Sequence, residues 1–195
     1  MLVASGFIAS PAVAATATPT PIQPPTSSEI AQVSLAGQSV SVKGGVHIFD
    51  YAGAVKAGVS ASEALKFAEG MTAGGGTVVG GPSNLAVKSF ALSQAIQAAL
   101  SQCHGRNGHS TYWWGNQIAL DSCNTSVLIN SVWAGAGLSA LGGIISAATG
   151  AGAALGAIAA AVLTVGAGAL GICASWGNGI YLNQLWTGQP GCWGQ

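Results

Sequence analysis

The reading of this chain turns on VLINSVWAGAGLSALGGIISAA (residues 127–148) and AGAALGAIAAAVLTVGAGALGIC (residues 151–173), two apolar stretches separated by Thr149-Gly150. Each has about the length that crosses a hydrocarbon core, which takes ~20 helical residues. So short a connection predicts an antiparallel helical hairpin over 127–173. Small residues recur at every fourth position: Gly135, Ser139, Gly143 and Ala147 in the first stretch, then Gly152, Gly156, Ala160, Thr164 and Gly168 in the second. That spacing lines one helix face and lets two backbones approach closely. Gly135, Gly143, Gly152, Gly156 and Gly168 are therefore the expected helix-packing positions, with Leu138, Leu141, Ile145, Leu155, Ile158, Val162 and Leu163 left for other faces. Two readings follow, a membrane-active hairpin and a buried hairpin in a folded core. Ala and Gly contribute little to insertion, so such helices are marginal spanners that would pass an export channel and insert later into a target.

Charge sharpens the choice. The 195 residues carry 5 Lys+Arg and 5 Asp+Glu, a formal net charge of zero, with 30 glycines. Lys43, Lys56, Lys66, Lys88 and Arg106 face Glu29, Asp50, Glu63 and Glu69 in the first part, and Asp121 is the last Asp, Glu, Lys, Arg or His of the chain. A water-facing surface as long as Ser122 to Gln195 is rarely built without charge, which favours the membrane-active reading. Zero net charge excludes nucleic acid as a partner, because phosphate binding needs a basic field.

Upstream, Leu2 to Val13 is an apolar run ending in Ala12-Val13-Ala14, the small-x-small pattern of a signal-peptidase site. It lacks a basic leading region, so residues 1–14 are expected to be a signal peptide with a truncated start. Residues 15–28 hold Pro19, Pro21, Pro24 and Pro25 and are expected to be a Thr/Pro-rich linker. Residues 29–102 form the N-terminal helical region. Within it, Val33-x-Leu35 and Val40-x-Val42 alternate as short strands do. Ser60-Ala61-Ser62-Glu63 has capping-box spacing and predicts a helix over about 62–71. A second helix is expected over 83–102, with Leu85, Phe90, Leu92, Ile96 and Leu100 as its apolar side. A helical segment with Glu63 and Leu65 running into double glycines resembles the leaders of exported peptide bacteriocins.

Residues 103–195 form a Cys/Trp-rich domain around the hairpin. In a secretory context the four cysteines, Cys103, Cys123, Cys173 and Cys192, form a disulfide set with three connectivities. Local pairing, 103 with 123 and 173 with 192, is preferred because the two loops are nearly equal; joining Cys123 to Cys173 is the competing pattern. Cys103, His104, His109 and Cys123 fit no strong zinc spacing, so no metal is expected. The hairpin is flanked by one phrase in two copies, Trp114-Gly-Asn-Gln-Ile-Ala-Leu120 and Trp176-Gly-Asn-Gly-Ile-Tyr-Leu182. Each predicts a turn into a short strand, the two pairing antiparallel as a small βααβ unit. Trp113, Trp114, Trp176, Tyr181, Trp186 and Trp193 would then gather at the open end of the hairpin with Tyr112, as an interfacial belt or as an aromatic mini-core. Aromatic platforms also bind sugars.

The combination Tyr112-Trp113-Trp114-Gly115, Ile118-x-Leu120, the Gly/Ala hairpin and the ending Gly177-Asn178-Gly179-Ile180, Trp186, Cys192-Trp193-Gly194-Gln195 resembles small secreted, bacteriocin-like proteins of Gram-positive bacteria, especially actinobacteria. The resemblance spans Cys103 to Gln195 and implies secretion. Many antimicrobial peptides are cationic, and this chain departs from them, so a receptor or a hydrophobic route must replace attraction to anionic lipid.

The expected fold class is mainly α: a Gly/Ala-rich antiparallel helical hairpin flanked by short β-strands, with one or two upstream amphipathic helices. The expected function is that of a secreted bacteriocin-like protein whose hairpin inserts into or permeabilises a target membrane. The alternative is a non-toxic envelope or surface protein using the hairpin as core, anchor or self-assembly element. Expected partners are target lipid or an envelope receptor, with room for a homo-oligomer on the membrane. No cofactor and no enzyme activity are expected, since His104, His109, Asp121 and Cys103 lack a nucleophile elbow, paired carboxylates or a phosphate loop.

Overall fold

Helix formation begins earlier than the proline content suggests. In the computed structural model, which describes residues 24–83, 85 and 102–195, Thr26 and Glu29 form a full capping box. The Glu29 backbone N–H donates to Thr26 Oγ1 and the Thr26 N–H to Glu29 Oε2. Helix α1 (Ser27–Gln38) follows, so Val33 and Leu35 are helical and not strand residues. The same Ser/Thr-x-x-Glu signal at Ser60 starts α3 (Ala61–Ala73), where Glu63 donates its backbone N–H to Ser60 Oγ. The proposed signal peptide and most of the helix expected over 83–102 lie outside the described residues.

Among the described residues the fold is an α/β mixture of six helices and two sheets, which corrects the expected mainly-α hairpin with short strands. The first sheet pairs β1 (Val40–Lys43) antiparallel with β2 (Val46–Asp50), and β2 parallel with β3 (Thr77–Val79). α2 (Tyr51–Lys56) and α3 make the crossover between β2 and β3. The second is a four-stranded antiparallel sheet of β4 (Gly108–Tyr112), β5 (Gly115–Leu120), β6 (Ile180–Leu185) and β7 (Pro190–Gly194), in that order. The two copies of the repeated phrase are β5 and β6, with Ile118 opposite Leu182 and Leu120 opposite Ile180.

Between β5 and β6 the apolar region forms three helices: α4 (Ser122–Trp133), α5 (Leu138–Thr149) and α6 (Leu155–Cys173). The first expected span, 127–148, is cut because Gly135 takes φ +77°. Its N–H bonds to Val132 O and the Ala136 N–H to Ser131 O, the Schellman closure that satisfies the last carbonyls of α4. Gly166, at φ +75° and ψ 160°, interrupts α6 with a kink. Gly135, expected to be a small packing residue, is a backbone switch.

The four-residue stripe of α5 shares one face, but that face packs on α3. Ser139 Oγ donates to Glu63 Oε2. A Cβ on Gly143 would meet the backbone of Phe67, Gly70 and Met71, and Ala147 Cβ lies against Gly74 and Gly76. Gly156 of α6 approaches Ile30 O and Ser34 of α1. α5 is the centre of the core, with Leu141, Ile144 and Ile145 buried among Phe67 and Met71 of α3, Val33 of α1 and Leu155 of α6. Residues 29–102 and 103–195 therefore share one core. His47 of β2 ties in as well, donating from Nδ1 to Ala147 O at 2.6 Å.

Candidate functional site

The charge-free segment divides into a hidden part and a shown part. α5 is almost entirely buried. α6 is the helix long and apolar enough to cross a membrane by length and composition, yet only 28% of its apolar window is buried in the fold. Leu155, Ile158, Val162 and Leu170 turn inward. Gly168 and Ile172, four residues apart after the Gly166 break, make an exposed strip of α6, with exposed Trp176 just beyond its end and exposed Thr164 before the break; Ile172 is 76% and Trp176 78% exposed. Nothing lies within 4 Å of a Cβ placed on Gly168 or Gly152, and Gly135 likewise faces open space. Of the five small positions expected to pack helices, the structure brings Gly143 and Gly156 against neighbours, sets the Gly152 backbone against Gly37 of α1, and leaves Gly135 and Gly168 exposed.

Disulfides Cys103–Cys123 and Cys173–Cys192 hold the two ends of this region, with Cα separations of 5.4 and 5.9 Å. The first fastens the start of α4 to the loop preceding β4, and the second fastens the C-terminus of α6 to β7. Such bonds indicate an oxidising, extracellular compartment. Asp121 lies near the sulfurs of Cys103 and Cys123, but both are oxidised and offer no thiolate to a metal.

The tryptophans do not gather at one end. Trp113 and Trp114 turn the chain between β4 and β5, and Trp186 closes on them, its backbone N–H donating to Trp114 O and its ring Nε1 to Trp113 O at 2.8 Å. Tyr112 stacks on Trp114 with ring centroids 4.9 Å apart. Trp176, Tyr181 and Trp193 lie towards the other end of the sheet, Trp176 against Gly194 and Tyr181 beside Trp193. The reason is geometric. In each phrase the Trp leads the strand, so antiparallel pairing of the two phrases sends their leading tryptophans to opposite ends. Trp133, 71% exposed at the end of α4, and Ile172 belong to the exposed apolar surface and were missed; Gly135, two residues after Trp133, is the signal that the helix ends there.

The residues considered for catalysis are used otherwise. Asp121 caps α4, accepting from the Asn124 N–H at 2.8 Å and from Asn107 Nδ2 at 2.6 Å, and it is buried. His109 Nε2 has no hydrogen-bond partner among the described residues, so Asp121 does not orient it. His104 donates its backbone N–H to Ser122 Oγ. Glu63 is the perturbed acid of the core: burial pushes its pKa up, but hydrogen bonds from Lys66 and Ser139 outweigh this and hold it below the ordinary range. It locks α3 to α5 and opens onto no cleft.

Comparison with models of known protein families, with curated proteins and with solved structures finds no match for this chain.

Proposed function

We propose that this is a secreted, bacteriocin-like membrane-active protein that first meets a lipid surface through the exposed strip of α6. The observation that carries this reading is that α6, an apolar helix of membrane-spanning length, is left mostly uncovered, with no Asp, Glu, Lys, Arg or His anywhere from Ser122 onward. Burying an exposed side chain the size of Ile172 or Trp176 is worth roughly 1.5–3 kcal/mol each. That supports reversible adsorption and falls well short of irreversible insertion. Without a basic patch the attraction is hydrophobic, so it should neither require anionic lipid nor weaken in salt.

Burial of α5 favours a second reading, an envelope-associated protein whose apolar segment is chiefly a core. Permeabilisation would require α5 to leave α3, exposing Leu141, Ile144 and Ile145 to the bilayer.

The test is flotation of the oxidised protein with zwitterionic vesicles, followed by dye release from the same vesicles. Co-flotation that is unchanged in high salt, and a partition coefficient that falls at least about a hundredfold in the double variant Ile172→Ser, Trp176→Ser, are expected. Binding with leakage supports the permeabilising version, and binding without leakage the envelope version. Failure to float with any vesicle composition overturns the membrane-active reading.

A further inference from the structure

The outer face of the four-stranded sheet, opposite the helices, carries a different chemistry. Strand alternation sends Ile118, Leu120, Ile180 and Leu182 into the core and turns Ser110, Gln117, Tyr181 and Trp193 outward. Here lies a recess of about 90 Å³ walled by residues that include Arg106, Ser110, Gln117 and Tyr181. Arg106 is the last basic residue of the chain. Its guanidinium sits 5.7 Å from the Tyr181 ring centroid and donates from Nη2 to the Tyr181 hydroxyl at 3.1 Å. Its backbone is clamped by Gln195, which accepts from the Arg106 N–H and donates from Nε2 to Arg106 O, Leu120 O and Ile180 O.

This fixed cation pairs with no carboxylate among the described residues. Asp121, the one acid beyond residue 69, is buried in its helix cap. A guanidinium has five N–H donors, and most of those on Arg106 remain for a ligand. Polar groups around the recess are also unmet. Gln117 donates to Asn183 Oδ1 at 2.9 Å, leaving its own carbonyl oxygen open. Asn183 Nδ2, in a side chain only 4% exposed, has no partner among the described residues. Beside them the half-exposed Trp193 ring offers an apolar plane.

We propose that this face binds a saccharide bearing a carboxylate, with Arg106 taking the carboxylate, Ser110 and Gln117 the sugar hydroxyls, and Trp193 the apolar face of the ring. An unpaired cation selects an acidic ligand. Adjacent donors and acceptors match hydroxyls, which both give and take hydrogen bonds. The flat indole surface suits a pyranose ring better than an extended acidic peptide. The recess holds the acidic substituent and the ring edge, so the remainder of a glycan chain would run across the sheet. Such a site would supply the attraction to a cell surface that the chain's missing basic charge does not.

The test is calorimetric titration of the oxidised full chain at low salt. The probes are a GlcNAc–muramic acid disaccharide, an oligogalacturonate, the neutral disaccharide chitobiose and oligoglutamate. Binding of at least one acidic sugar, about tenfold or more tighter than chitobiose, is expected, as the loss of a charge-assisted bond would give. Arg106→Gln should remove that preference and Trp193→Ala should weaken the acidic sugar, both with cooperative urea unfolding retained and unchanged vesicle flotation. Which acidic sugar binds distinguishes a cell-wall source from a uronate polymer. The proposal is overturned if neither acidic sugar binds at millimolar concentration, if chitobiose or oligoglutamate binds equally well, or if the two variants bind as the parent does.

Discussion

Replacing Gly143 with alanine tests whether the small residues of α5 serve contact with α3. The added Cβ would lie 2.6 Å from the Met71 backbone nitrogen and 2.9 Å from the Gly70 carbonyl carbon, besides meeting Phe67 O. Optimal non-bonded separations are about 3.5–4.0 Å, so the helices must part by roughly 1 Å, a gap that forfeits a quarter to a half of each dispersion contact across it. Phe67, Met71 and Ile144, all fully buried, lose those contacts. The obstructing atoms are backbone and cannot rotate away, which places the overpacking cost near the upper end of about 1–3 kcal/mol. Alanine recovers about 1 kcal/mol of helix propensity, leaving a net loss of about 2 kcal/mol. For a domain of this size that lowers Tm by about 4–8 °C. Gly70→Ala meets Ala140 across the same crossing, its Cβ 2.8 Å from the carbonyl carbon, and should cost a similar amount. The double variant should lose less than the sum, because one separation relieves both clashes. Gly168→Ala, with nothing within 4 Å, is the control and should stabilise by up to about 1 kcal/mol. Urea and thermal unfolding of the oxidised proteins measure all four. If Gly143→Ala and Gly70→Ala behave like Gly168→Ala, the close packing of α3 on α5 is refuted.

Two further predictions concern polar groups inside the fold. Asp121→Ala removes the cap of α4 and strands Asn107 and Asn124. A lost cap costs about 1 kcal/mol and an unsatisfied buried group about 1–3 kcal/mol, so urea unfolding should show a loss of about 2–3 kcal/mol, with Asp121→Asn milder. Because the folded pKa of Glu63 is depressed, its stabilising contribution is full above the unfolded value of about 4.3 and is lost as pH falls through the folded value. The urea midpoint should therefore drop below about pH 4, and Ser139→Ala, which removes one of the bonds holding the pKa down, should flatten that drop. An equal acid response in the variant would show that Ser139 does not hold Glu63.

Local signals were legible where they depend on neighbouring residues. The Ser60 cap, the Ile-x-Leu strands of the repeated phrase and the local disulfides follow from spacing over a few positions or from loop size. Thr26-x-x-Glu29 carried the same capping signal and was hidden by the prolines before it. β4 and β7 were not anticipated, because Gly108–Tyr112 and Pro190–Gly194 carry little apolar alternation and are held chiefly by pairing to β5 and β6. The outward-facing recess was equally hidden, since Arg106, Gln117 and Tyr181 meet only when those strands align.

The sequence by itself determined that charge vanishes after Asp121, that the cysteines sit in two short loops and that two apolar stretches dominate the C-terminal part. Those properties depend on composition and order alone. Only the tertiary structure decided what the stretches do. Gly135 and Gly166 break them because a positive φ cannot be told from a packing glycine in a list of residues. α5 is hidden and α6 shown because α3 and α1, distant in sequence, cover one and leave part of the other bare. Antiparallel pairing, invisible until the sheet forms, separates the tryptophans and places Arg106 over Tyr181.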